Sequence, residues 1–294
     1  MRKIYLLVLG ILLIGGLIYW DARQKNPPPR GRLQVVVSGY VPYTIVKQIA
    51  GETVSVRMLL PPGAEPHSFE PTPGALVDLH HADAFIYVSH DLEPWAADLA
   101  KVTDAQTHVL ELGNSLHPEE DPHVWMNFKK ARLMGYQVTA LLAEMAPESR
   151  KETDQNWFVF EKQLDQLEYD FAQGLSNCRY HEVVHIGHLA FGGLLSPYGI
   201  KLTALSGSSH EGEHSAKKLV RLVMQMKARK LPAIFTEESV SARLAQTVAA
   251  ETGTEILPLY SIEHISKRDF ENHLSYDALM RRNLDSLKRG LVCR

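Results

Sequence analysis

Cysteine is scarce in this 294-residue chain, with only Cys178 and Cys293. None lies at the end of the apolar N-terminal run, which argues against lipid attachment of the bacterial lipoprotein kind, and neither has the spacing of a metal knuckle or a nucleophile. In an oxidising compartment the pair either forms a disulfide or remains as two buried thiols. Basic charge is not in excess: 31 Lys and Arg stand against 34 Asp and Glu, for a formal net charge of -3. With no basic patch interleaved with aromatics, nucleic acid is not an expected partner. No G-x-S-x-G, P-loop or G-x-G-x-x-G occurs, so the usual markers of acyl hydrolysis and nucleotide binding are missing.

What is present in surplus is histidine, 14 residues in all. The remainder, 45% hydrophobic and 22% charged, is of ordinary globular composition with room for two domains. Residues 1–32 place Arg2 and Lys3 before the apolar run Ile4 to Trp20 and end in proline-rich sequence. That is the pattern of an export signal. The run is long for a cleaved segment and just long enough to span a bilayer, so cleavage and an uncleaved N-terminal anchor are both open. Either way the body is expected outside the cytoplasm.

From Leu33 onward, short β-branched runs alternate with amphipathic segments. Strands are expected at 33–37, 54–60, 85–88, 183–186, 202–205, 233–235 and 256–257, with helices between them. Such alternation argues for α/β lobes built on parallel sheets. In the middle, Trp157, Phe160, Leu164, Leu167 and Phe171 make one continuous helical stripe. It reads either as a core helix of one domain or as a spine joining two lobes. The expected division is a first lobe over 33–146, a linking helix over 147–176 and a second lobe over 177–294. A final helix is expected from the Ser266-to-Asp269 capping pattern to near Gly290.

Two stretches hold a histidine behind a proline: Glu65-Pro66-His67, followed by Pro71 and Pro73, and Asp121-Pro122-His123. Proline leaves its neighbours little backbone freedom, which suits a pre-organised ligand. A third histidine, His188, lies where the strand at 183–186 passes into the next segment, the edge at which open α/β sheets gather ligands. Three imidazoles and one further donor make a complete set for zinc. The fourth is open among Glu237, Glu238, Glu263 and His264. His181-Glu182-Val183-Val184-His185 matches H-E-x-x-H, the mark of zinc peptidases, but that motif needs a helix and these residues favour a strand. On a strand, residues four apart lie about 13 Å apart, too far to share an ion. His117-Pro118-Glu119-Glu120-Asp121, and His210 with His214, are read as solvated loops that collect cations weakly at most.

With these residues in place, residues 33 to 291 resemble the extracytoplasmic solute-binding proteins of bacterial zinc and manganese ABC transporters. The resemblance rests on Pro61 to Pro73, Leu92-Glu93-Pro94-Trp95, Asp121 to Met126, His188-Leu189-Ala190-Phe191 and Tyr276 to Asn283. It implies two Rossmann-like lobes joined by one long helix, with the metal in the cleft held by His67, His123 and His188. Histidine at the third position resembles the zinc branch, in keeping with the preference of imidazole-rich sites for zinc over manganese. Where the family commonly places an aspartate as fourth ligand, this chain reads Ser261-Ile262-Glu263-His264. The resemblance favours His264 there, then Glu263, then Glu237. Asn127-Phe128 replaces the usual Asp-Pro, and the long histidine-rich loop of many zinc members is absent.

The expected function is capture of Zn2+ outside the cytoplasm and its delivery to an ABC permease by a monomeric, non-enzymatic carrier. Alternatives are a manganese-binding member of the same family, a zinc hydrolase using Glu182 as base, and an adhesin in which metal only stabilises the lobes.

Overall fold

The computed structural model describes residues 32–117, 121–206, 216–237 and 242–294. The N-terminal apolar run, Glu119, Glu120, His210, His214 and Glu238 lie outside the described residues. Among the described residues no helix is long and apolar enough to cross a membrane.

The first lobe carries strands β1 (Leu33–Val37), β2 (Val54–Met58), β3 (Ala84–Tyr87) and β4 (His108–Glu111) in the order β2-β1-β3-β4. β3 pairs in parallel with both β1 and β4. Its four residues, Ala84, Phe85, Ile86 and Tyr87, are all buried, as a strand covered on both faces requires. The intervening helices are α1 (Tyr40–Ala50), α2 (Pro73–His80) and α3 (Pro94–Ala100). Proline opens α2 and α3, where its fixed φ suits the first turn and its missing N–H is no loss.

Next comes a helical hairpin, α4 (Phe128–Met145) and the 26-residue α5 (Arg150–Leu175). Asn127 caps α4, its Oδ1 accepting from the N–H groups of Lys129 and Lys130 at 3.0 and 3.3 Å. The asparagine that departs from the family's Asp-Pro thus supplies a good cap. Along α5, Phe160, Leu164, Leu167 and Phe171 are buried as the stripe predicts, while Trp157 is only half-buried. Burial of each is worth about 1.5–3 kcal/mol, and the helix packs on α1, α4 and the C-terminal helix.

The second lobe repeats the plan, with β5 (Glu182–Ile186), β6 (Lys201–Ala204), β7 (Ala233–Thr236) and β8 (Glu255–Pro258) in the order β6-β5-β7-β8, all pairs parallel. Its helices are α6 (Gly192–Leu195), α7 (Ala216–Arg229), α8 (Ala242–Thr252), α9 (Lys267–Glu271) and α10 (Tyr276–Leu291). Cys178 and Cys293 are joined as a disulfide across 115 residues, closing the chain around this lobe.

Three sequence expectations need correction. β4 was not anticipated, because its residues are exposed or half-buried at a sheet edge and carry little apolar signal. The helix expected between the strands at 183–186 and 202–205 is a single turn that starts only at Gly192 and passes at Ser196–Tyr198 into a tighter turn containing Pro197. The final helix is two. Ser266 does cap α9, accepting from Asp269 N–H at 3.1 Å, but His273 takes φ 52° and Ser275 starts a fresh cap for α10.

Candidate metal centre

Both sheets present their C-terminal edges to one place. His67 follows β2, His123 follows β4, His188 follows β5, and Glu263 follows β8. In each sheet the strand order reverses between its two central strands, and such switch points are where open α/β sheets bind ligands.

In the first lobe, the loop before α2 is pinned by Trp95, whose Nε1 donates to Pro66 O at 2.8 Å. Glu65 Oε1 accepts from the His67 N–H at 3.2 Å. Asp121 makes the corresponding turn, its Oδ1 accepting from the His123 N–H at 3.0 Å and lying 2.8 Å from His123 Nδ1. An acid-Pro-His triplet therefore does two jobs: proline stiffens the approach and the acid fastens the histidine's own backbone. The repeat is visible in the sequence, but the bonds its acids make to their own histidines are not. Asp121, expected in a solvated loop, bonds a buried ring.

In the second lobe, His188 leaves β5 and meets Glu237, which leaves β7. Glu237 Oε1 accepts from the His188 N–H at 3.1 Å and lies 2.9 Å from Nδ1. Glu263 is thrown into the cleft by a tight backbone turn: Ile262, fully buried, has φ 70°. A β-branched residue in the left-handed region costs on the order of 1–3 kcal/mol. Surrounding bonds hold it there. Trp125 Nε1, from the first lobe, donates to Ser261 O at 2.7 Å, and Asn283 brackets Tyr260 through N–H and C=O at 2.7 and 2.9 Å. The two tryptophans of the sequence motifs thus each fasten a carbonyl beside a cleft residue.

His67, His123, His188 and Glu263 offer one donor atom each, all within 4.8 Å of one another. His188 Nε2 lies 2.6 Å from Glu263 Oε1 and 3.1 Å from His123 Nε2; His123 and His67 Nε2 lie 3.4 and 3.7 Å from Glu263 Oε2. Donors around a tetrahedral zinc with bonds of about 2.0–2.2 Å sit about 3.4 Å apart, so the set needs little adjustment to hold one ion. The inner nitrogens of His123 and His188 donate to carboxylates, which leaves Nε2 as the donor face of each.

Charge in the cleft is strongly correlated. Burial opposes a charge on His188, but Glu263 and Glu237 outweigh it and raise the imidazole to about 10. His123 is raised in the same way, burial being overcome by Glu263 and Asp121. Burial pushes Glu263 up, yet His188 and His123 hold it well below the usual carboxylate range. His67 differs, because burial dominates and lowers it.

The expected fourth donor, His264, is not part of this group of four; Glu263 is. His264 Nε2 lies 3.8 Å from Glu263 Oε1 and 3.4 Å from Glu65 Oε2, one step toward the cleft mouth. Glu237 stands behind the His188 ring rather than among the four. His181 is exposed, and His185 is buried on β5, with its Nδ1 3.1 Å from His188 O. The H-E-x-x-H segment is thus a strand, as predicted. Its Glu182 is engaged by Arg229, and by Gln225 and Thr203 at 2.6 and 3.2 Å.

The profile of a family described as zinc-uptake complex component A, periplasmic (ZnuA), matches residues 35–290. The chain belongs to the ZnuA family. Among similar proteins, the zinc-binding lipoprotein AdcA of Streptococcus pneumoniae strain R6 is 30% identical over 310 residues, covering 98% of this chain. The chain spans only 61% of that protein's length. The high-affinity zinc uptake system protein ZnuA of Bacillus subtilis strain 168 is 29% identical over 283 residues, covering 89% of this chain and 88% of that one. The crystal structure of the Zn(II)-bound ZnuA-like domain of S. pneumoniae AdcA is similar at TM-score 0.79 and 30% identity, over 89% of this chain and 99% of that one. The laminin-binding protein Lmb of Streptococcus agalactiae, described as bifunctional with adhesin and metal-transporting activity, is similar at TM-score 0.78 and 29% identity, over 88% and 99%. As a ZnuA-family member, the chain is of the solute-binding kind, with two parallel-sheet lobes.

Proposed function

We propose that this protein captures Zn2+ outside the cytoplasm and delivers it to an ABC permease, with His67, His123, His188 and Glu263 as the ligands. The observation that carries the reading is the convergence of three imidazoles and one carboxylate, each from a different strand end, in a nearly dry cleft. Imidazole-rich sites favour zinc over manganese. Glu263 takes the fourth position in place of His264, because its oxygens already face three Nε2 atoms.

The role is that of a non-enzymatic, monomeric carrier without a nucleic-acid partner. Glu182 is engaged by Arg229 and Gln225 on a strand, which leaves it unsuited to act as a hydrolytic base. The apolar stretch Ile4 to Trp20 supports export, by a cleaved signal or a retained anchor. The pneumococcal relative is named a lipoprotein, whereas no cysteine precedes Cys178 here. A second reading, adhesion, is favoured only by the likeness to the laminin-binding protein.

The test is a metal count by elemental mass spectrometry after equilibration with equimolar zinc and manganese and exhaustive dialysis. One zinc and no manganese per chain is expected. Retained manganese would move the protein to the manganese-binding alternative, and no retained metal would remove the site.

A further inference from the structure

Glu237 is a buried carboxylate, 5% exposed, and it sits on the far side of the His188 ring from the group of four. We propose that Glu237 is the positioning residue for His188 in metal capture, seated in space kept open by Gly187 and holding the imidazole with Nδ1–H inward and Nε2 toward the cleft. The inference rests on the reading of His188 as a zinc ligand.

Three observations converge on it. First, one oxygen of Glu237 receives both the backbone N–H and the Nδ1–H of the same histidine, at 3.1 and 2.9 Å. Two bonds from one residue to one atom fix ring rotation as well as tautomer. A ligating histidine whose second nitrogen is held this way loses little freedom on metal binding and becomes a stronger donor. Second, Gly187 keeps this space open: a Cβ there would run into Glu237 Oε1, lie 3.0 Å from its Cδ and also meet His185 Cε1 at 2.5 Å. The glycine preceding the histidine therefore leaves room for the carboxylate and for the His185 ring beside it. Third, the device recurs at His123. Asp121 bonds its ring and backbone in the same manner, and a Cβ on Gly192 would lie 3.2 Å from Asp121 Oδ2.

The two positions differ in shielding. The Glu237 side chain is 3% exposed and that of Asp121 33%. Water can stand in for Asp121 but hardly for Glu237, so the second-lobe carboxylate has the larger effect.

The experiment measures zinc affinity of the whole chain by competition with a chromophoric chelator, for wild type, Glu237→Gln, Gly187→Ala, Asp121→Asn and His188→Ala. In parallel, 15N-histidine NMR of the zinc-loaded protein reads the Nδ1–H resonance of His188. Outer carboxylates of this kind typically contribute about 10–100-fold in affinity. Glu237→Gln, which keeps shape and removes charge, is expected near the lower end and carries the test, and Gly187→Ala, which displaces the carboxylate together with the His185 ring, near the upper. Asp121→Asn should lose less than either. The His188 Nδ1–H resonance should shift or broaden in both second-lobe variants. If Glu237→Gln and Gly187→Ala lower the melting temperature but leave affinity and that resonance unchanged, Glu237 is merely structural and the inference is overturned. If His188→Ala itself binds zinc like wild type, the ligand assignment fails, and the two failures are told apart.

Discussion

The acid that bonds the His123 ring stands two residues before it, whereas the acid that bonds the His188 ring stands 49 residues after it. The first lobe orients its histidines through local turns that form wherever the segment itself is folded. The second can do so only once β5 and β7 have paired, because Glu237 reaches His188 across that pairing. Half of the site is thus a property of short peptides and half a property of a folded lobe. The chain closure follows the same division: the disulfide encloses the second lobe and leaves the first open.

The largest effect expected from that contrast is on stability. Replacing both cysteines, Cys178→Ala with Cys293→Ala, opens a loop of 115 residues, for which loop entropy predicts a loss of about 4–5 kcal/mol. Urea unfolding of the metal-free protein reads it as a lowered midpoint, with second-lobe probes lost before first-lobe ones. An unchanged midpoint would mean that closure does not distinguish the lobes.

Next is the loss of a donor from either side. Four-ligand zinc sites hold on the order of 10–16 kcal/mol, so removing one donor should cost roughly 3–4 kcal/mol, several hundred-fold in affinity. His67→Ala and Glu263→Ala are both expected in that range by chelator competition. A loss confined to second-lobe variants would show that the ion is held by one lobe alone.

The three histidines also differ in what they release, and the difference falls within the first lobe as well as between lobes. With His188 raised to about 10, its contribution to metal-free stability is complete below about 6.5 and is lost as pH rises through 10. Glu263, held low, contributes above about 4.5 and loses that contribution as pH falls through its folded value. Zinc bound as proposed must displace the His188 proton, and His123 is raised in the same direction, whereas His67, lowered by burial, has none to give near neutrality. Calorimetry in two buffers of different ionisation enthalpy should find at least about one proton released at pH 7.5. Affinity should then fall about tenfold per unit of acidification for each proton displaced. Heats independent of buffer would refute this.

The same contrast explains what could be read before folding. His67 and His123 announce themselves by a triplet that is complete in sequence, and His188 by its place after a β-branched run. Two sheets and a spine follow from periodicity, because strands buried on both faces and the stripe on α5 leave a strong apolar pattern. Glu237 as a support for His188 was not legible, since the pairing of β5 with β7 alone brings it there. Nor was the placement of Glu263, rather than His264, among the four converging side chains. That depends on the left-handed turn at Ile262, a conformation that no isoleucine advertises. β4 escaped because an exposed edge strand needs no apolar residues.

The smallest effects are expected outside the group of four. His181→Ala removes an exposed ring at the start of β5, with no role in the cleft, and should leave zinc affinity within about twofold of wild type, a surface change of roughly 0.5 kcal/mol or less. His264→Ala is more informative. Its Nε2 faces Glu65 across the cleft mouth at 3.4 Å, so its loss should remove one partly exposed contact between lobes, worth about 1 kcal/mol or less and no more than severalfold in affinity. A loss of several hundred-fold would place His264 on the ion instead of Glu263. The second lobe would then hold its zinc by two imidazoles, with Glu263 reduced to a partner of His188 much as Glu237 is.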